Sequence, residues 1–270
     1  MKNSYILIAS LSISLIVSVL LMADFSDSRD VKKSRWCRKE HEIRSRLLRI
    51  PILLYHNIDG RGVFSVKNET LRQHFTFLRD NNIRVISLSE LVENLECAKS
   101  FDDEVIVITF DDGFYSMYSR LMPLAVEFHY PVTLFIYTDF IYTRAESCLT
   151  WDKLAILEEN GIAIEGHTLS HCDLTAYSKR NDYTARKRLF DEIYLSKRLI
   201  ELYMGKDVKY FAFPYGRYDE RIIELSQYAG YRRVFSTDYG SNIVTRDNYC
   251  LRRHHIKNSY SMKFYKELAE

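Results

Sequence analysis

The sequence predicts an α/β fold built on a parallel sheet. Three features predict it: short apolar runs recur along the chain, segments of helical period alternate with them, and polar clusters follow several runs directly. A strand is expected at 50–55, where Ile50, Ile52, Leu53, Leu54 and Tyr55 crowd together. The next segment carries Leu71, Phe75 and Leu78 on one helical face, and residues 84–86 read as a second strand. Residues 105–108 form an apolar strand. Further strands are expected at 132–136, 162–164, 210–213 and 234–236, and helices at 114–128, 150–159, 182–204 and 219–229. Asp219 is a natural N-cap and Gly230 a natural stop for the last of these. Alternation alone leaves an open sheet and a barrel equally available.

The strand ends carry the chemistry. Thr109-Phe110-Asp111-Asp112-Gly113 places two adjacent carboxylates after the run at 105–108, in the position where α/β sheets build their sites. Asp and Gly are also ordinary turn residues, so this motif gains meaning only from its company. His167-Thr168-Leu169-Ser170-His171 follows the strand at 162–164, and Phe211-Ala212-Phe213-Pro214-Tyr215-Gly216 follows another. A carboxylate with two imidazoles can hold a divalent metal and leave a position open for water. Histidines four apart share a face on a helical turn, and in a tight loop they can still converge. A tandem carboxylate divides the labour: one ligates, and the other serves as a base.

These motifs together resemble the polysaccharide deacetylases of carbohydrate esterase family 4, over roughly residues 50–256. The resemblance implies a distorted (β/α)7 barrel with its site at the strand C-termini. It implies Asp111 as general base, Asp112, His167 and His171 as ligands of a divalent metal, and the Tyr215 backbone N–H as an oxyanion donor. Zinc is the expected ion, and cobalt or nickel suits the same donors. Two departures stand out. The better-known branch has arginine two residues before the proline of Pro214-Tyr215-Gly216, where this chain has Ala212; Arg253 is the candidate replacement. That branch also carries its acid histidine near the C-terminus, whereas here Tyr55-His56 ends the first strand. In this respect the chain is similar to the subgroup that deacetylates poly-β-1,6-N-acetylglucosamine, which implies His56 as general acid. His254 and His255 compete for that role, and strand alternation would turn only one of them inward. Trp151, Tyr115, Tyr215 and Tyr218 lie near the motifs and could wall a pyranose site, although a chain with 20 tyrosines places some near any site by chance.

Composition is consistent with one catalytic domain at 50–270. A hydrophobic content of 47% supports a single core, and no fixed-period repeat is visible. A net charge of +2 without a base-reading motif gives no reason to expect nucleic acid, so the expected partner is an N-acetylated glycan and the expected state a monomer. Residues 1–28 are expected to be a membrane anchor or signal segment. Within them, residues 5–23 are uninterruptedly apolar or small hydroxyl residues, enough to span a bilayer as a transmembrane helix. Cleavage after Ala23 would place Leu21 where a small residue is usual, which favours an uncleaved anchor; cleavage would give a secreted protein. Residues 29–49 read as a charged juxtamembrane linker. Their basic residues, taken literally, place the domain in the cytoplasm, while the resemblance places it on the extracytoplasmic face, the reading adopted here. Cys37, Cys97, Cys148, Cys172 and Cys250 show no disulfide or zinc spacing, and Cys172 is expected to pack rather than ligate.

Other readings of the site differ in class. A non-haem iron oxygenase would share the two-His, one-carboxylate set but leave the Asp111–Asp112 pair without a purpose. A deacylase of a small or lipid-linked amino sugar would share every catalytic residue. An inactive, anchored glycan-binding protein would fit the loss of arginine at Ala212 but not the intact base and ligands.

Overall fold

The computed structural model describes residues 49–97, 99, 101, 104–143, 145–243 and 248–269. Residues 1–48, and with them the expected anchor, nearly all of the expected linker and Cys37, lie outside the described residues. Among the described residues no helix is long and apolar enough to cross a membrane.

Eleven strands are described: β1 (Arg49–Ile50), β2 (Ile52–Tyr55), β3 (Arg84–Val85), β4 (Val105–Asp112), β5 (Val132–Ile136), β6 (Ile162–Gly166), β7 (Tyr210–Ala212), β8 (Arg233–Phe235), β9 (Asn242–Ile243), β10 (Cys250–Leu251) and β11 (His254–His255). The main sheet runs β10-β8-β7-β6-β5-β4-β2-β11, with β3 added on β4, and all its pairings are parallel. The α/β class with a parallel sheet is therefore observed. The two ends of this path are consecutive in the chain. β10 lies on β8, β11 lies on β2, and only Arg252 and Arg253 separate them, so the sheet curls until one short segment touches both edges. The expected first strand is split at Pro51, which lacks an N–H; its carbonyl still accepts from Val107 N at 3.1 Å.

Strand alternation divides the core in two. Along β4 and β5, Ile106, Ile108, Phe110, Val132, Leu134 and Ile136 pack toward the surrounding helices. Val107 and Phe135 join Ile52, Ala212, Phe235 and Leu251 in a second cluster on the concave side. The helix Leu88–Glu96, too short to show a long apolar period in the sequence, gives that second cluster Leu88, Leu91, Val92 and Leu95. Its start is fixed by Ser87, whose side chain accepts from Glu90 N.

Two expected long helices are interrupted. Residues 114–128 resolve into a bridge between Phe114 and Cys148, a π-turn at Met117–Leu121 and a helix at Met122–Phe128. Residues 182–204 become helices Tyr183–Phe190 and Ser196–Met204 joined by a π-turn at Asp191–Leu195. A π-turn inserts a residue without ending the helix, so the apolar period runs through it and sequence alone does not register it. The helix Glu220–Tyr228 starts as expected, with Asp219 accepting from Ile222 N.

Leu91 is fully buried, so Leu91→Ala should lower the stability of the domain by about 2–5 kcal/mol in urea denaturation. A loss below about 1 kcal/mol would show that this helix contributes little to the concave core.

Candidate active site

Parallel register brings the motif residues to one level. Tyr55 lies opposite Phe110, Asp112 opposite Ile136, and Ile136 opposite Gly166. His56, Asp111, Asp112 and His167 therefore emerge side by side at the C-terminal ends of β2, β4 and β6. Regular alternation would send Asp111 and Asp112 to opposite faces. Instead Asp112 adopts φ 83° and Gly113 φ 94°, a left-handed turn that brings both carboxylates to the same imidazole. His167 Nε2 is 3.8 Å from Asp111 Oδ2 and 3.8 Å from Asp112 Oδ1. A side chain at Gly113 would press on Ile136 and Ile141 at 3.2 and 3.3 Å as well as resist this φ.

His167 follows β6 directly, and its Nδ1 lies 2.8 Å from Ala212 O. A carbonyl can only accept, so Nδ1 carries the proton and Nε2 is left with its lone pair, the tautomer a metal ligand needs. His171 sits on a loop, which resolves the choice that the spacing left open. Thr168 (φ 76°) and His171 (φ 58°) are both left-handed, and Thr168 Oγ1 accepts from His171 N at 2.9 Å. His171 Nε2 comes to 3.3 Å from Asp112 Oδ1. One donor atom from each of Asp112, His167 and His171 lies within 4.8 Å of the others, the cluster of a size to hold a metal among the described residues. Asp112 Oδ1 is buried and accepts no hydrogen bond within the protein, as a carboxylate oxygen reserved for a cation would be. The donor set fits a divalent ion.

Arg253 lies on Asp111. It is fully buried at the changeover from β10 to β11, and its two terminal nitrogens donate to Asp111 Oδ1 and Oδ2 at 2.8 and 2.7 Å. Its Nε donates to Ser236 O at 3.2 Å, and its guanidinium stands over the Phe135 ring. Burial alone would raise the Asp111 carboxyl, but the Arg253 charge, the neighbouring His167 and His56 and the Arg253 hydrogen bonds together outweigh it and hold Asp111 well below the usual carboxylate range. Asp112 goes the other way: burial, then the charge of Asp111, pushes it up to about 7. Burial lowers His56 and His167 to about 4, against the pull of Asp111.

The remaining candidates fall into place around this centre. Tyr215, at φ 59°, is exposed and its ring meets that of His171 nearly perpendicularly, centroids 4.8 Å apart. Gly216 beside it cannot be replaced cheaply, because a Cβ there would overlap the backbone N of Thr237 at 2.5 Å. His56 stacks obliquely with His255 at 5.0 Å, and Phe64 covers His255 at 4.5 Å. His254 faces away to Ser241 Oγ, 3.1 Å from its Nε2. Cys172 packs against the apolar core. Trp151 stacks on Tyr203 at 4.5 Å and meets Tyr142 edge-on, while Tyr218 stacks on Phe213, so neither is drawn to the metal cluster in the way Tyr215 is. Sequence reading missed Tyr137, whose ring lies 5.1 Å from His171, as well as Phe64 and Glu192. Tyr137 directly follows β5, so the rule that strand ends carry chemistry could have found it.

Residues 98–234 match the polysaccharide deacetylase family, and the chain belongs to that family, a group of hydrolases of the carbohydrate esterase 4 type. It is 25% identical over 223 residues to YxkH of Bacillus subtilis (strain 168), whose name places it among polysaccharide deacetylases; the match covers 82% of this chain and 74% of YxkH. It is 23% identical over 225 residues to the poly-beta-1,6-N-acetyl-D-glucosamine N-deacetylase of Escherichia coli (strain K12), covering 69% of this chain but only 33% of that protein. The Streptococcus pyogenes deacetylase PplD, solved in complex with acetate, shares the fold with a TM-score of 0.73 at 20% identity, over 83% of this chain and 99% of PplD.

The raised proton affinity of Asp112 has a testable sign. In the metal-free protein the folded state keeps this proton to higher pH than the unfolded state, so the contribution to stability is present near pH 4 and is lost as pH rises through about 7. Asp112→Asn carries no such dependence. With chelator present, the variant should gain on the wild type as pH rises from about 4 to about 7 and no further above that, by about 1.4 kcal/mol for each pH unit between folded and unfolded values. Urea midpoints measure this, and a difference that stays flat with pH would contradict it.

Proposed function

We propose that the protein removes N-acetyl groups from an N-acetylglucosamine glycan of the cell envelope or an exopolysaccharide, with the poly-β-1,6-linked polymer favoured. The observation that carries this reading is the Arg253-clamped Asp111 standing beside the Asp112, His167 and His171 cluster, with His56 at the end of the first strand. The substrate follows from the His56 position and from the name of the Escherichia coli relative. On this reading the curled sheet is a distorted (β/α)7 barrel acting as a monomer. Residues 1–28 would anchor it to the membrane with residues 50–270 on the extracytoplasmic face.

Asp112, His167 and His171 would hold the ion, zinc by preference. When bound, a divalent ion here supplies Lewis acidity, bringing the pKa of water toward ~7 and drawing charge from an amide oxygen. The residues then share out one proton. Asp111, kept ionised by Arg253, accepts it from the attacking water, whose oxygen forms the new bond to the acetyl carbon. The Tyr215 backbone N–H donates to the oxygen on which negative charge collects, an effect worth about 3 kcal/mol for one such donor. The C–N bond breaks as His56 gives a proton to the amine nitrogen, and acetic acid leaves, losing its remaining proton to solvent or to the free amine to become acetate. The proton lost by water is the one the amine needs. Burial lowers His56 to about 4, so on this reading it is charged by the proton that Asp111 took from water, and giving that proton to the amine returns both residues to their starting states.

Asp111→Asn should lose turnover on an N-acetylglucosamine oligomer by about a hundredfold or more while retaining metal, whereas Asp112→Asn should lose the metal. Free amine release and elemental analysis give the two readouts. Near-normal turnover in the first variant would remove Asp111 from the role of base. His56→Ala should cripple amide hydrolysis yet spare an acetyl ester with a phenolate leaving group, which departs without a proton. An amide-specific defect in His255→Ala instead would transfer the acid role to that residue.

A further inference from the structure

Asp112 ends β4 and His167 directly follows β6, whereas His171 lies four residues further into a loop. Its loop contains two left-handed non-glycine residues, Thr168 and His171, conformations that cost about 1–3 kcal/mol each unless neighbours enforce them. Asp139 N donates to Leu169 O at 2.8 Å, and Thr138 N donates to Thr168 O at 3.3 Å, which fixes one edge of the loop. The other edge is held mainly by Glu192, with Arg188 beside it. Glu192 is fully buried; its Oε2 accepts from Leu169 N at 3.0 Å and Ser170 N at 2.9 Å, and its Oε1 accepts from Ser170 Oγ at 2.6 Å. Arg188 lies 2.7 Å from the same Oε1 and also donates to Ser170 Oγ at 2.9 Å.

The segment that presents Glu192 is itself built for the purpose. Glu192 belongs to the π-turn Asp191–Leu195, which turns the following helix out of its regular register. Carbonyls loosened there are taken up by hydroxyls: Ser196 Oγ donates to Glu192 O at 2.7 Å, and Tyr231 OH donates to Ile193 O at 3.1 Å. We infer that Glu192 is the positioning residue of the candidate metal site, holding loop 168–171 so that His171 Nε2 faces Asp112. The inference rests on Asp112, His167 and His171 being metal ligands. Carboxylate chemistry is essential to it, because all four donors converge on acceptor-only oxygens. A glutamine would turn an NH2 group toward either the loop N–H groups or the Ser170 and Arg188 donors.

The test uses the full chain stripped of metal and titrated with Co2+, with affinity measured by chelator competition and ligand geometry by the visible absorption spectrum. Glu192→Gln should weaken Co2+ binding by roughly tenfold to a hundredfold and alter the spectrum. Wild-type affinity and spectrum in that variant would overturn the inference, since a side chain that only supports folding would change the thermal midpoint and not these. Should Glu192→Gln fail to fold, Ser170→Ala removes one donor from Oε1, and a loss of about threefold to tenfold is expected. No loss there would equally overturn it. Wild type that binds no Co2+ would overturn the metal-site reading and this inference with it. Wild type that binds, with His171→Ala that does not, separates the two.

Discussion

A buried ion pair joins the architecture to the chemistry. Taking a guanidinium and a carboxylate out of water costs several kcal/mol per ion, and the cost is met only where geometry is good and every remaining donor finds an acceptor. Arg253 satisfies both conditions: two parallel bonds to Asp111, a third to Ser236 O and an aromatic face at Phe135. Its backbone sits where the chain passes from β10, which pairs with β8, to β11, which pairs with β2. The same side chain therefore pins the seam of the curled sheet to the end of β4, and a shift of the seam would move the carboxylate that faces His167.

That pair also sorts the titratable groups. Two adjacent aspartates in one buried site cannot keep the same proton affinity. Arg253 takes Asp111 down, and Asp111 in turn helps burial take Asp112 up to about 7. The residue with the raised proton affinity is the one whose Oδ1 accepts no hydrogen bond in the protein and lies 3.3 Å from His171 Nε2. On the proposed reading a divalent cation would displace the proton of Asp112, leaving Asp111 to act as base and Asp112 to ligate. Pushing two like groups apart in this way is a general means of assigning distinct roles to them.

Much of this was legible in the sequence because it depended on local order. Strand runs at 105–108, 132–136 and 162–164 announced themselves by composition, and their C-terminal ends had to carry the polar motifs. Asp219 read as a cap because capping is a property of a few consecutive residues. The helix Leu88–Glu96 was equally legible, with Ser87 and Glu90 at its start and Leu88, Leu91, Val92 and Leu95 on one face, and was missed for want of a long period. Other features were out of reach. Arg253 could be named as a replacement for the arginine absent at Ala212, but its bidentate contact depends on parallel register across 142 residues of chain. Glu192 gave no signal, because its partners are backbone N–H groups and every residue has those. The π-turns hid inside an unbroken apolar period.

Backbone strain marks the site more sharply than side-chain identity does. Six non-glycine residues among those described have positive φ: Asn82, Asp112, His129, Thr168, His171 and Tyr215. Asn82 and His129 end helices, where a left-handed residue is an ordinary stop. The other four are all at the candidate site. Aspartate is a short side chain and cannot reach far, so the backbone must deliver the carboxylate; the same holds for an imidazole whose Nε2 must meet a fixed partner. Strain of this kind persists only where surrounding structure over-determines it. Here β4 and β5 brace Asp112, Glu192 and the residues after β5 brace Thr168 and His171, and the close approach of Gly216 to Thr237 braces Tyr215. Each strained turn thus leans on a different element of the sheet or its helices, which ties the precision of the cluster to the integrity of the whole fold.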